Sequence, residues 1–298
     1  MELKTFAGIV SDGIRKQLGE EFVISVITNL KNNSVELTGI MFKKTGERVS
    51  PTIYVEDLYE AYQRKEKSLC EITREMIERY ESSVDSMKEL SGFDLDFEKN
   101  RKKIVYRLIS RERNKELLAE MPYIPFLDMA ITFHLVVSVN KNYVQSLKIS
   151  KELQKKWNVT VEQLLKIAKK NTNELFPAEV KGLRDFIKEY LLSQEDDLTN
   201  IEKMDMIVVT NELGMNGAIT ILYEGVIEKI ADHYETDLYV IPSSVHEMIV
   251  VPVSDDTQKE LYDMLRFIVK DINERYVAEE EILSNRVYTY LREDRRFE

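Results

Sequence analysis

Residues Asp128–Val139, DMAITFHLVVSV, carry an apolar side chain at nearly every position. A strand solvated on one face alternates apolar with polar residues; an unbroken apolar and β-branched run must be covered on both faces. This segment is therefore expected to be an interior strand. Its chain must supply strands beside it and layers over both faces, which sets the scale of the fold. At 298 residues, with 43% hydrophobic side chains, there is enough material for one large domain or two ordinary ones.

Glu21–Phe42 reads as a β-hairpin, because EFVISVITNL and SVELTGIMF flank Lys31-Asn32-Asn33, where asparagine tolerates positive φ. Helices are expected at about Val55–Arg64 and Ser68–Lys88, giving an αββαα unit over residues 1–90. Residues 91–298 form the main domain, with a soft boundary at Ser91-Gly92. Its first stretch, DLDFEKNRKKIVYRLISRERNKELLAEM, has apolar anchors at helical spacing (Phe97, Ile104, Leu108) and reads as helix. Met121–Phe126 holds two prolines and must be extended or turned.

A helical stretch is expected over Ile149–Asn173, with Thr160 as an N-cap and Glu162 in the first turn. Glu179–Leu192 is expected to be helical and SQEDDLTNIEK a surface loop. The closing order is strand Met204–Thr210, helix Ala218–Tyr234, strands Leu238–Ile241 and Met248–Val253, helix Thr257–Arg275, and a last segment at Arg286–Leu291. The fold class is α+β, with mixed or antiparallel sheets and packed helices, the N-terminal unit a hairpin and the C-terminal one α/β in character.

With 53 acidic against 42 basic residues, the net charge is −11, and the mean field repels phosphate. That disfavours nucleic acid or anionic lipid as a partner. No apolar run approaches the roughly 18 residues that span a bilayer, and the charged N-terminus lacks a signal-peptide core. A single cysteine, Cys70, fits a reducing, cytoplasmic setting and is expected to pack as a small apolar group.

Candidate chemistry concentrates in Met206–Val253. Asn211–Gly217 joins a strand to a helix through Gly214, Asn216 and Gly217, which could offer backbone N–H groups to an anion. It matches neither phosphate-loop pattern and has no lysine, so an Asn-Gly turn that packs tightly is the plainer reading. Pro242-Ser243-Ser244-Val245-His246-Glu247 comes after a strand. Strand alternation would place His246 with Met248 on one face and Glu247 with Ile249 on the other, separating His246 from Glu247. Ser243 or Ser244 with His246 lacks the strained G-x-S-x-G turn and a third member. A metal at His246 would need His134, His233 or carboxylates delivered by the fold, and His134 reads as a buried neutral histidine bonded to backbone. The stripe Ile219, Leu222, Tyr223, Ile227, Ile230, Tyr234 is an ordinary core face. Asp128 is given Arg107 as an expected partner.

The chain resembles a family of bacterial proteins of unknown function, found mainly in Gram-positive gut bacteria. The matching residues are YRLISRERN with Arg107 and Asn114, MPYIPFLDMAITF, NTNELFP, VVTNELGMNGAITILYEGVIEKIA, DLYVIPSSVHEMIVVP and LSNRVYTY; TN…NGA…LY and PSSVHE are the signature motifs. A second uncharacterised bacterial family is similar more distantly. The resemblance implies a full-length domain, often carried on mobile or accessory DNA, and brings no catalytic residues.

Three functional classes fit these residues. The leading one is a non-enzymatic interaction or regulatory protein that uses Asn211, Asn216, Ser243, Ser244, His246 and Glu247 to meet a protein partner. The second is a hydrolase or metal-dependent enzyme centred on His246 with Ser243, Ser244 or Glu247. The third is nucleic-acid binding through the basic run Lys99–Lys115, with an acidic nucleic-acid mimic as a weaker variant. The leading reading calls for no cofactor and no metal.

Overall fold

The computed structural model describes residues 1–46, 50–91, 93–141, 143–183, 205–253 and 258–298. The chain divides into two compact units, Met1–Leu95 and Asp96–Glu298. In the first, helix α1 (Leu3–Leu18) precedes strands β1 (Phe22–Leu30), β2 (Glu36–Lys44) and β3 (Thr52–Tyr54), then helices α2 (Glu56–Gln63) and α3 (Leu69–Ser91). The hairpin pairs Phe22 with Lys44 through Leu30 with Glu36, and its turn holds Asn33 at φ 59°. The core joins Phe6, Val10 and Ile14 of α1 to Ile40 and Phe42 of β2 and Ile72 and Met76 of α3. Strand β3 adds an edge to β2 that the three residues Thr-Ile-Tyr after Pro51 gave little pattern to signal. Cys70 is exposed on α3, not packed, because it falls on the helix's outer side, away from Ile72 and Met76.

The second unit begins with short helix α4 (Phe97–Asn100), then β4 (Ile104–Ser110), α5 (Lys115–Glu120), β5 (Tyr123–Phe126), β6 (Met129–Val139) and β7 (Val144–Lys148). Strand β6 is the interior strand, and every residue from Met129 to Val136 is buried. Strand β4 lies along one side of it, with Ile104 opposite Leu135 and Ser110 opposite Met129. Strands β5 and β7 share the other side, end to end. The expected helix over 94–121 is therefore replaced at its centre by β4. Ile104 and Leu108 are four apart, a spacing that shares a face in a strand as well as in a helix, and β-branched Ile104 and Val105 with Tyr106 favour the strand once β6 is there to pair.

Helices α6 (Lys151–Trp157) and α7 (Val161–Leu175) split the expected single helix at Asn158, which is left-handed at φ 54°. Thr160 caps α7 in a reciprocal capping box with Gln163. Helix α7 docks on β4: the Tyr106 amide donates to Thr172 Oγ1 at 3.1 Å, and Asn171 Nδ2 donates to the Ile104 carbonyl at 2.9 Å.

A further sheet takes β8 (Ala178–Gly182), β9 (Ile207–Asn211), β10 (Leu238–Pro242), β11 (Met248–Pro252), β12 (Tyr288–Leu291) and β13 (Arg296–Phe297) in the order β13-β12-β10-β11-β9-β8. Helices α8 (Val226–Tyr234) and α9 (Gln258–Arg275) complete the unit. Ala178–Gly182 is strand where helix is expected, because pairing with β9 overrides its weak helical pattern. The rest of that expected helix, from residue 184, and the expected loop SQEDDLTNIEK lie outside the described residues. Every strand pair among the described residues is antiparallel, and the fold is α+β. No helix among the described residues is long and apolar enough to cross a membrane.

Asp128 does not meet Arg107. Ser284 Oγ donates to it at 2.8 Å, the Tyr288 hydroxyl donates to its other oxygen, and Arg286 Nε lies 3.6 Å away. Asp128 precedes β6 while Arg107 pairs near its middle, opposite Thr132, so register separates them. His134 is buried as expected, but its Nε2 bonds the Thr132 hydroxyl (3.1 Å) and not the backbone. Burial, then the charges of Arg107 and Lys148, hold its pKa well below the usual 6.5. The unfolded chain takes up that proton and the folded chain refuses it, so stability is full above pH 6.5 and falls below it. Wild-type protein should lose about 1.4 kcal/mol from this group between pH 7.5 and 5.5, and His134→Gln should flatten that slope in denaturant titrations at each pH. An unchanged slope in the variant would remove His134 as its source.

Candidate functional site

Two connections come together at one end of β9, β10 and β11. The first, Asn211–Gly217, is organised by the buried Asn211 side chain. Its Oδ1 accepts from the amides of Leu213 (3.0 Å) and Met215 (3.3 Å), and its Nδ2 donates to the Met215 carbonyl (2.9 Å). The Gly214 amide donates to the Asn211 carbonyl, and the Glu212 amide to Pro177. Asn216 is left-handed at φ 52°, which an asparagine adopts at little cost. The chain then enters a 3₁₀ turn over Gly217–Leu222 instead of starting an α-helix. Helix α8 begins only after Gly225 (φ 80°), so the expected helix 218–234 is interrupted. Four of the six stripe residues are buried, Ile219, Tyr223, Ile227 and Ile230, while Leu222 and Tyr234 are only half-buried.

This arrangement argues against anion capture by the glycine loop. The amides of residues 212 to 216 and of Ala218 are already donated, the last to the Val245 carbonyl at 3.3 Å. A nest for an anion needs those hydrogens free.

The second connection, Ser243–Glu247, is a compact turn, and β11 begins at Met248. Strand alternation therefore does not reach His246 and Glu247, and Ser244 draws the turn together instead. Ser244 Oγ donates to Glu247 Oε1 (2.9 Å) and accepts from the His246 amide (2.9 Å), while the Ser244 amide meets the Glu247 carbonyl (3.3 Å). Ser243 is half-buried and its hydroxyl makes no hydrogen bond among the described residues.

His246 ties the two connections together. Its Nδ1 accepts from the Asn216 amide at 3.1 Å, which leaves the ring proton on Nε2, 3.3 Å from Glu281 Oε1. The His246 carbonyl accepts from Thr210 Oγ1 at 2.8 Å. Glu281 belongs to a third segment, and its own carbonyl accepts from the Val245 amide at 2.9 Å. Sequence spacing carried no sign of Glu281 or Thr210, since one lies 35 residues after His246 and the other 36 before it.

A serine hydrolase needs its serine hydroxyl on the imidazole. Here the Ser244 proton goes to Glu247, and both ring nitrogens face other partners. His134 lies in β6, His233 is exposed and packs edge-on against Tyr234 (4.9 Å), and His246 braces the two loops. Among the described residues, no group of three His, Cys, Asp or Glu side chains is placed to hold a metal. The basic run 99–115 is not one helical face but α4, a 3₁₀ turn, β4, a turn and α5 in succession. Arg101 and Lys102 from it join Lys166 and Lys170 of α7, with Phe97, around a cleft of about 770 Å³.

A model of a family of unknown function, DUF5688, matches residues 3–292. The chain belongs to that family. No curated protein and no solved structure matches it. Within this DUF5688 chain, Gly217 of the first connection leaves no room for a side chain. A Cβ there would come within 2.5 Å of the His246 carbonyl oxygen and 2.7 Å of the Asn211 amide nitrogen, and closer still to Thr210 Oγ1. Backbone on two sides must move to admit it. Gly217→Ala is expected to cost about 2–3 kcal/mol in denaturant unfolding, and a loss under about 0.5 kcal/mol would show the contact to be soft.

Proposed function

We propose that this DUF5688 protein is a non-enzymatic binding protein whose recognition surface is formed by the 211–217 and 242–247 loops. The observation that carries this reading is the commitment of His246, with Nδ1 on Asn216 and Nε2 toward Glu281, so the imidazole braces loops instead of serving a nucleophile. Asn211 and Ser244 are spent in the same way, on backbone and neighbours. Loops whose polar groups satisfy one another hold a preset shape, which lowers the ordering cost of binding. Glu247 and Glu281 beside the imidazole favour a partner with basic residues at the contact.

Capture from the native host with wild-type protein, and with folded Ser244→Ala/His246→Ala protein, tests the reading. The partner retained by wild type should be lost by the variant. Identical partners for both, or hydrolysis of ester, amide or phosphoester reporters that disappears in Ser244→Ala, would overturn it.

A second reading, nucleic-acid binding, is favoured by one observation: Arg101 and Lys102 converge with Lys166 and Lys170 on one cleft in an otherwise acidic chain. It requires that a single-stranded oligonucleotide be retarded at about 50 mM salt and released by about 200 mM, and that Lys166→Glu/Lys170→Glu abolish the retardation. No retardation at low salt retires it.

A further inference from the structure

One face of the β4–β6 sheet carries a cation that no carboxylate among the described residues neutralises. In register, Arg107 of β4 lies opposite Thr132 of β6, which lies opposite Tyr123 of β5. In the next row Val105 lies opposite His134, and His134 opposite Lys148 of β7. Directly paired residues share a face, so Arg107, Thr132, Tyr123, His134 and Lys148 form one polar patch. No aspartate or glutamate occupies these rows, although the chain as a whole has an acidic excess. Apolar clusters border the patch on both sides. Val105, Val136 and Phe176 with Leu213 lie at one end, and Ile109, Leu118 and Ala130 at the other.

The Arg107 side chain makes no ion pair and no hydrogen bond among the described residues. It is half-buried, and burial lowers its pKa only to about 10, so it stays protonated at neutral pH. None of its nitrogens is both sealed from solvent and unbonded, so the guanidinium keeps some contact with water. Removing an unpaired cation from most of its water is costly, and proteins ordinarily place a carboxylate beside it. Here the neighbours are instead a hydroxyl, with Thr132 Oγ1 3.1 Å from His134 Nε2, and an imidazole that its surroundings keep neutral.

We propose that Arg107, Thr132 and His134 form a binding site for a small organic oxyanion, a carboxylate or phosphate group carried on a partly apolar body. The guanidinium fork supplies the charge and paired N–H donors, the buried Thr132 hydroxyl positions it from behind by meeting the Arg107 carbonyl at 3.4 Å and His134 Nε2 at 3.1 Å, and the flanking clusters accept the apolar body. The site uses none of the residues of the 211–217 and 242–247 recognition surface other than Leu213 at its border, so the two proposals fail independently.

The test is thermal melting of the full chain against benzoate and, separately, phenyl phosphate, with sodium chloride at matched ionic strength as control. Wild type should show a saturable rise in Tm with one or both probes in the millimolar range and none with chloride. The more effective probe assigns the site to carboxylate or to phosphate. Arg107→Met should abolish the rise, and Arg107→Lys and Thr132→Val should each weaken the apparent affinity, about tenfold for the lysine, which keeps the charge but loses the fork. The lysine and valine variants decide the matter if the methionine variant does not fold. No response beyond chloride with either probe, or a response of wild-type affinity in the three variants, overturns the site.

Discussion

The second unit depends on the burial of β6 on both faces. Met129, Ile131, Phe133 and Leu135 point to one side and Ala130, Thr132, His134 and Val136 to the other, and all are shielded from water. An apolar side chain fully buried is worth about 1.5–3 kcal/mol, so such a strand is stable only inside a framework that covers it completely. That framework builds from the strand outward. β4 pairs along one side, β5 and β7 divide the other, and the Ile149 amide, just past β7, still reaches the Phe133 carbonyl. α7 then docks on the outer edge of β4 through Thr172 and Asn171, which supply side-chain partners to backbone groups that no strand meets. Even Asp128, at the entry to β6, is held by Ser284 and Tyr288 from the far end of the chain.

The connections at the end of the other sheet obey a different constraint, the need to satisfy backbone hydrogen bonds where chain segments crowd. Gly217 sits where only a hydrogen fits, between Thr210, the His246 carbonyl and the Asn211 amide. A regular α-helix started there would leave its first amides without partners, whereas the 3₁₀ turn gives the Ala218 amide to Val245 and the Thr220 hydroxyl to the Gly217 carbonyl. The histidine, the serine and the asparagine that look reactive in the sequence are the groups this crowding needs as acceptors and donors.

What could be read in advance divides along the same physical line. The fold class, β6, the first hairpin, Thr160 as a cap and four of the six residues of the expected core stripe (Ile219, Tyr223, Ile227 and Ile230) depend on local composition and period, and these were legible. β4 was not, because a four-residue apolar spacing suits either period and only the presence of β6 decides it. The pairing of Asp128 with Ser284 and Tyr288 spans more than 150 residues and leaves no local trace. His246 and Glu247 could not be placed by alternation because alternation holds only inside a strand, and β11 starts at Met248, just beyond them. The six candidate residues lie in the two connections that the structure brings together, but their bonding with Thr210 and Glu281 came from three-dimensional proximity alone.

The two regions treat polar groups in opposite ways, and the contrast locates where chemistry remains open. Around His246 the donors and acceptors are spent on one another. Around Arg107, among the described residues, a single cation is left over, and register places hydroxyl and imidazole beside it and no carboxylate. The chain is acidic overall, and Thr132 and Tyr123 share the face of Arg107, yet neither is a carboxylate. A neutral hydroxyl at Thr132 keeps the guanidinium available instead, and a charge held available between two apolar clusters has its compensation in whatever anion enters from solution.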